Sequence, residues 1–511
     1  MAKHKTLARQ PGCAALAFIR LTAIGNIALL LTACASFKDI GSTAQLRNAS
    51  DYAATATLPA QGGTWPDLHW AGSIGGAPLQ ALVDEALAGN PGLQAAAARV
   101  AAAQAVSEAA GAASGPAAGA SFDSTLQRYS ENGLVPAQLA GKIRSDNRLT
   151  LNFGYDFDFW NRHAAQLRAA LAEGKAAEAE RYTARLVLTS AIARAWLQLA
   201  RQHAQLDLSG RQLAVRQEIE RLTQLRFKAG LDARLDNEQA RQQLASLRAE
   251  QAHWQEAIGL TRNQLAALMG QGPDRGQRIS RPDFPQDAGV ALPDELPLAL
   301  LGRRPDIVAA RWRVEAAQGD IDAAKTLFYP NVNLIAFAGL SSLGLANLLQ
   351  SGSRIAGIGP AIRVPLFESG ALRAQLKGKV AVYDIAVANY NQTLTDALRE
   401  VADQVHSLRA AELQSGHQQA ATQAAENNLA LARQREHVGT TNMLPALASE
   451  SAWLEQRKAE FDAAVRRRDL RVSLIKALGG GFDSTSRNPD PAAATAEPLP
   501  LHRPIAAKPA S

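Results

Sequence analysis

The sequence predicts a mainly α-helical chain with a small β part, built as one unit written twice. Three observations predict it. Two proline-free stretches, Arg162 to Phe227 and Ser369 to His437, are long enough for helices of roughly 100 Å at ~1.5 Å per residue. Four short segments between helical stretches alternate apolar and polar residues. The chain also matches itself at a spacing of about 210 residues.

The amino end reads as a bacterial export signal. Lys3, Lys5, Arg9 and Arg20 precede the apolar run "LTAIGNIALLLTA", which is too short for a membrane helix of ~20 residues. The run ends in Leu31-Thr32-Ala33-Cys34, the form of a lipoprotein cleavage box in which Cys34 becomes the lipid-bearing first residue. An ordinary signal peptide with a chance cysteine is the alternative. Ala35 behind the cysteine points to sorting to the outer membrane. Removal of residues 1–33 takes away four basic and no acidic residues, so the formal charge falls from +7 to +3. The basic balance is then no argument for nucleic acid. Cys34 is also left as the sole cysteine, which excludes an intrachain disulfide. The lipid on Cys34 is the only covalent group expected, at roughly 0.8 kcal/mol per buried methylene, and no cofactor is expected.

The repeat is read from fixed spacings. Pro91, Arg99, Val100, Gln104 and Pro116 return 214 residues later as Pro305, Arg313, Val314, Gln318 and Pro330. Gly230, Arg248, Leu265 and Gly270 return 209 residues later as Gly439, Arg457, Leu474 and Gly479. "DFDFW" and "RVPLF" align between these blocks. Each half reads as helix, break, helix, strand, loop, strand, very long helix, turn, helix. The divisions follow: a signal over 1–33, a lipidated linker over 34–77, a first repeat over 78–270, a Pro/Gly-rich linker over 271–293, a second repeat over 294–481 and a Pro/Ala-rich disordered tail over 482–511. Ile192, Trp196, Leu199, His203, Leu206, Gly210 and Leu213 step by fours and threes, as do Tyr383, Val387, Tyr390, Leu394, Ala397, Val401, Gln404 and Leu408. These are coiled-coil seams.

The strands are expected over about Ala120–Tyr129, Arg148–Trp160, Asn331–Leu340 and Ile355–Phe367. In "LTLNFGYDFDFW" the residues Leu151, Phe153, Tyr155, Phe157 and Phe159 share one face, and Asp156 and Asp158 share the other. Four strands leave two edges of unsatisfied backbone, which lipid does not tolerate, and small membrane barrels begin at about eight strands. The strands therefore form a soluble sheet packed on the helices, or they combine with other copies. Three copies give twelve strands and a closed barrel. In that arrangement the aromatic face meets outer-membrane lipid, the aspartates face the lumen, and Trp160 sits at the membrane interface.

These features together resemble the TolC-like outer-membrane factor family, of the NodT lipoprotein type. The residues that carry the likeness are "LQALVDEALAGNPGLQAAAARV", "LGRRPDIVAARWRVEAAQGDIDAAKTLFYPNVNL", "VPLFESGALRAQL" and "LRFKAGLDARLD", and it spans about Leu79 to Gly479. The run "FYPNVNLIAFAGLSSLGLANLLQSGSR" narrows it toward ducts of aromatic-acid and fusaric-acid resistance. The resemblance implies a homotrimer with a twelve-stranded transmembrane β-barrel and a periplasmic α-barrel of long coiled-coil helices. It also implies an inner-membrane efflux pump and a periplasmic membrane-fusion adaptor as partners. The adaptor would dock at the turns holding Gly230 and Gly439. Family members place acidic residues after the second turn, where this chain has Pro445 and Ala448. Asp232 and Asp236 of the first turn are the alternative source of gate carboxylates, with a plain helix-capping role competing.

No catalytic or metal site is expected. The chain has no GxxxxGK[ST], no GxSxG and no HExxH, and its nine histidines are scattered. "GLSSLG" reads as the loop between two strands, Asp306 as a helix-end charge, and Arg466-Arg467-Arg468 as a solvated face. A periplasmic coiled-coil scaffold without a pore is the competing function.

Overall fold

The computed structural model describes residue 37 and residues 39–48, 51–53, 57–58, 63–283, 296–365 and 368–484, without the side chains of 296–299. The signal, Cys34, the end of the inter-repeat linker and nearly all of the tail lie outside them. The helices are α1 (Ala71–Gly89), α2 (Pro91–Ala112), α3 (Arg162–Lys228), α4 (Arg234–Leu268), α5 (Pro273–Gln277), α6 (Leu296–Arg303), α7 (Pro305–Thr326), α8 (Ser369–His437) and α9 (Met443–Ala477). The strands are β1 (Ala117–Arg128), β2 (Ile143–Asp156), β3 (Asn331–Leu343) and β4 (Arg354–Arg363). The order is the predicted unit, twice.

Helix α1 begins inside the stretch read as linker. The sequence "AGSIGGAPLQ" masks it, because Gly76 leaves helical geometry at φ 71° and Pro78 follows, so the helix is kinked rather than absent. Beyond the kink, Leu79, Leu82, Val83 and Ala86 form a buried stripe. Among the described residues no helix is long and apolar enough to cross a membrane.

The chain divides into two compact units. One comprises Met1–Leu46, Val100–Ala176 and Ala310–Tyr390, and holds the whole sheet. Its strands run in the order β1-β2-β3-β4, all neighbours antiparallel. Its apolar cluster joins Ile40 to Ile321, Ala324, Phe328, Leu376 and Val380, with Phe37 against Phe328 at 5.3 Å between rings. Ser42 bonds Asp384. Residues shortly after Cys34 are thus packed along α8, a feature no sequence periodicity announced.

The other unit comprises Arg47–Arg99, Ala177–Ala309 and Asn391–Ser511. Its core packs Trp70, Leu79, Ile192, Trp196, Leu199, Leu265, Met269, Val472 and Ile475. Two glycines allow helix ends to approach one another closely beside this core. A Cβ on Gly270 would stand 2.4 Å from the carbonyl of Gly89, and one on Gly479 would stand 1.9 Å from that of Arg303. Both have positive φ as well, 72° and 94°, so only glycine serves.

The seams differ in part from expectation. On α8, Val387, Tyr390, Leu394, Ala397, Val401 and Leu408 are buried as predicted. On α3 the predicted line holds from Ile192 to Leu199, after which Gln202, Gln205, Ser209 and Gln212 are buried in preference to His203, Leu206, Gly210 and Leu213. The stripe moves by one residue where Gln205 and Gln212 find polar partners on α9, which an apolar period cannot show.

Candidate functional site

The sheet register sorts every strand residue onto a face, because residues paired across antiparallel strands point the same way. One face carries the rows Ala118–Phe153–Ala336–Ile358, Ala120–Leu151–Ala338–Ala356 and Phe122–Leu149–Leu340, with Tyr155 beside Leu334 and Pro360. Its large side chains stand open: Leu151 is 66% and Ile358 77% exposed. A polar row, Ser124–Asn147–Ser342, ends this band. Asn147 there is fully buried and accepts from Ser124 at 2.7 Å. The other face carries Asp123 opposite Arg148, Thr125 opposite Asp146 and Gln127 opposite Arg144.

Leu151, Phe153 and Tyr155 lie in β2, but Phe157 and Phe159 do not. The strand ends at Asp156. Phe157 makes one further bond to the carbonyl of Val332 at 3.1 Å, and Phe159 folds back to stack on Phe157 with ring centres 5.6 Å apart. Asn161, at φ 60°, turns the chain into α3. Asp158 and Asp156 explain the turn. The carboxylate of Asp158 accepts the amides of His163 and Ala164 at 3.1 Å each, capping the helix. Asp156 takes Arg162 and His163. Both aspartates are thus engaged by the start of α3 rather than standing free on the second face. Trp160 stacks on Tyr329 at 4.5 Å and donates to the Pro330 carbonyl. The other strand ends also shift: β1 begins at Ala117, β4 ends at Arg363, and β3 continues through "GLSSL" to Leu343. Gly339 permits the last of these, since a Cβ there would lie 2.1 Å from the Leu149 carbonyl.

The two turns after the long helices are alike. Gly230 (φ 71°) donates to Phe227 and Leu231 to Arg226; Gly439 (φ 72°) donates to Glu436 and Thr440 to Arg435. Each is a Schellman cap, with open space around the glycine. Exposed Leu225, Leu231, Leu235 and Val438 surround them. Asp232 is held bidentately by Arg226 at 2.8–3.0 Å, which lowers its pKa below the ordinary carboxylate value. Asp236 accepts the Ala233 amide at 3.0 Å, in the first turn of α4. The first has a fixed counter-ion and the second closes a helix. No such carboxylate occupies the second turn, whose cap is the Asn442 side chain.

Sequence reasoning missed a polar ladder between α3 and α9. Arg194 meets Asp469, Arg201 meets Asp462, and Gln212 meets Glu455, with the acids seven residues apart. Gln205 adds bonds to Asp462 at 2.8 Å and to the Lys458 carbonyl. The heptad spacing of the acids was the available signal. It also missed Arg304. That guanidinium is buried and bonds Asp306, Glu400 and the Ala477 carbonyl. Asp306 also accepts the Ile307 amide at 2.9 Å. Arg466 is exposed, but Arg467 and Arg468 are half-buried and Arg471 is buried, so the arginine run is not a solvated face.

The family model for outer membrane efflux proteins matches residues 82–271 and 296–480. The chain belongs to the outer membrane efflux protein family. Among curated relatives, the fusaric acid resistance protein FusA of Burkholderia cepacia is 33% identical over 359 residues, covering 69% of this chain and 68% of that one. The toluene efflux pump outer membrane protein TtgF of Pseudomonas putida is 32% identical, covering 83% and 87%. The crystal structure of the outer membrane protein VceC of Vibrio cholerae matches with a TM-score of 0.74 at 39% identity, covering 82% of this chain and all of that one. The efflux protein described here is therefore the outer-membrane channel component of an efflux pump. The family is one of channel components rather than enzymes. No cluster of metal-binding side chains occurs among the described residues.

Proposed function

We propose that three copies of this chain join edge to edge, β4 of one to β1 of the next, to close a twelve-stranded barrel that passively conducts small toxic compounds outward. The observation that carries this reading is a sheet with two unpaired edges and one apolar, outward-standing face. An open edge in lipid is prohibitively costly, and a soluble sheet would not leave Leu151 and Ile358 bare. Helix α2 agrees, for only Ala96 of its 22 residues is buried within one chain, and its alanine-rich surface suits close packing on a neighbouring helix.

The lipid on Cys34 is a second anchor, and Phe37 and Ile40, which follow it in the sequence, are packed against residues of α7 and α8. The turns at Gly230 and Gly439 face the periplasm in this reading, since each long helix follows a membrane strand in the chain and runs on into its turn, and they receive a periplasmic adaptor linked to an inner-membrane pump. Likeness to FusA and TtgF favours aromatic acids and apolar aromatics as cargo, antibiotics among them. The test is the mass and conductance of detergent-extracted protein. Particles of three chains that form pores in planar bilayers are expected, and monodisperse single chains without conductance would overturn the reading in favour of a scaffold.

A further inference from the structure

We infer that Phe337 forms an aromatic shelf on the water-facing side of the sheet, where aromatic solutes are held briefly in transit. The inference rests on the closed-barrel reading above. Register places Phe337 in the row Gly119–Asn152–Phe337–Gly357, on the same face as Thr150, Arg148 and Asp123. It is thus on the polar side, opposite Leu151 and Phe153. The ring is nonetheless 39% exposed, and a large bare aromatic on a polar wall calls for a cause.

Its surroundings are built to hold it there. A Cβ on Gly357 would lie 2.7 Å from ring atom Cε1 and 2.8 Å from Cζ, so the ring occupies the place of a missing side chain. The next row, Ala117–Gly154–Ile335–Gly359, is equally bare apart from Ile335, itself 49% exposed. Asn152 stands beside Phe337 in its row, its NH2 group donating to Ser121 and Thr150 at 3.3 Å each. Beyond them toward the hairpin ends come the charges of Asp123, Arg148 and Asp146. Three-fold repetition would set three such rings at one height.

A solute with an aromatic ring gains a stacking contact at this level that an aliphatic solute of equal charge and size does not. The gain is small enough for release, which conduction requires.

The test uses the full-length protein in planar bilayers in potassium chloride, with benzoate and cyclohexanecarboxylate as probes. Wild-type current should be reduced at lower concentrations of benzoate than of cyclohexanecarboxylate. Phe337→Ala should raise the half-blocking benzoate concentration roughly two- to tenfold, the range one aromatic pair supplies. Phe337→Leu should keep the open current and lose the preference. Equal block by the two probes in the wild type, or unchanged benzoate block in either variant, would overturn the shelf. Cysteine variants made on a Cys34→Ser background test the face. A charged methanethiosulfonate reagent should cut the current of Phe337→Cys and spare Ala336→Cys; the reverse refutes the shelf while leaving the pore intact. A wild type with no conductance refutes the barrel itself. Should Phe337→Ala fail to insert, the leucine and cysteine variants decide.

Discussion

Asn90 and Arg304 occupy equivalent places in the two halves of the fold, and each donates a side-chain hydrogen bond to the carbonyl that ends a downstream helix. Asn90 reaches Leu268, the last residue of α4, at 2.9 Å; Arg304 reaches Ala477, the last of α9, at 3.1 Å. The latch is preserved between the halves although its side chains differ. Arg304 alone recruits Asp306 and Glu400.

That difference sets the first prediction. Arg304→Ala leaves a carboxylate partly buried without its partner and should destabilise the fold by about 3–5 kcal/mol. Asn90→Ala removes one neutral bond at about 1 kcal/mol. Arg304→Lys should not rescue, because an ammonium cannot serve three partners in one plane. Denaturant midpoints of the purified protein would check the order.

Neighbouring residues on opposite faces give the second. Leu151→Arg should cost roughly 2–4 kcal/mol if that face meets lipid at mid-membrane, whereas Asn152→Arg should insert well and change conductance. The yield of heat-resistant oligomer in the outer membrane measures the first effect, and single-channel current the second. Equal yields would reverse the face assignment.

Glycines divide into two kinds. Gly230 and Gly439 have positive φ in open space, so alanine there should cost only about 1 kcal/mol, leave the oligomer intact and weaken adaptor coupling. Gly270 and Gly479 face carbonyls at 2.4 and 1.9 Å, so alanine there should abolish folded protein. Drug susceptibility together with oligomer yield separates the two classes.

Acid sensitivity should centre on His203. Burial lowers its pKa, helped by Arg262 and Arg281 and opposed by Asp207. A base whose folded pKa is depressed binds protons more readily when unfolded. Its contribution is therefore complete above the unfolded value of about 6.5 and declines as pH falls through it. His203→Gln should reduce the loss of stability between pH 7 and pH 5. Asp232 behaves otherwise: its folded pKa is depressed by Arg226, so its contribution is kept throughout that range and lost only as pH falls below about 4. Urea unfolding of wild type and His203→Gln at the two pH values checks this.

The repeat, the long helices and the number of strands were readable because they rest on spacing and on the absence of proline. Strand ends were less so. Alternation continues to Phe159 although the last cross-strand bond is made by Phe157, because the pattern records which face a side chain takes and not whether its backbone is bonded across. The α3 stripe shifted for a related reason. Gln205 and Gln212 are buried by virtue of Asp462 and Glu455 on a distant helix, and a local window cannot see the partner. The turn glycines were legible from their repeat spacing, but the Arg226 clasp on Asp232 required coordinates.

The unpaired edges of β1 and β4 carry a genetic consequence. A ring built by passing one edge to the next has no tolerance for a broken link, so a variant competent at one edge alone would be dominant-negative. Expressed at parity with the wild type, it would leave only about one assembly in eight composed wholly of sound subunits, by random mixing in threes.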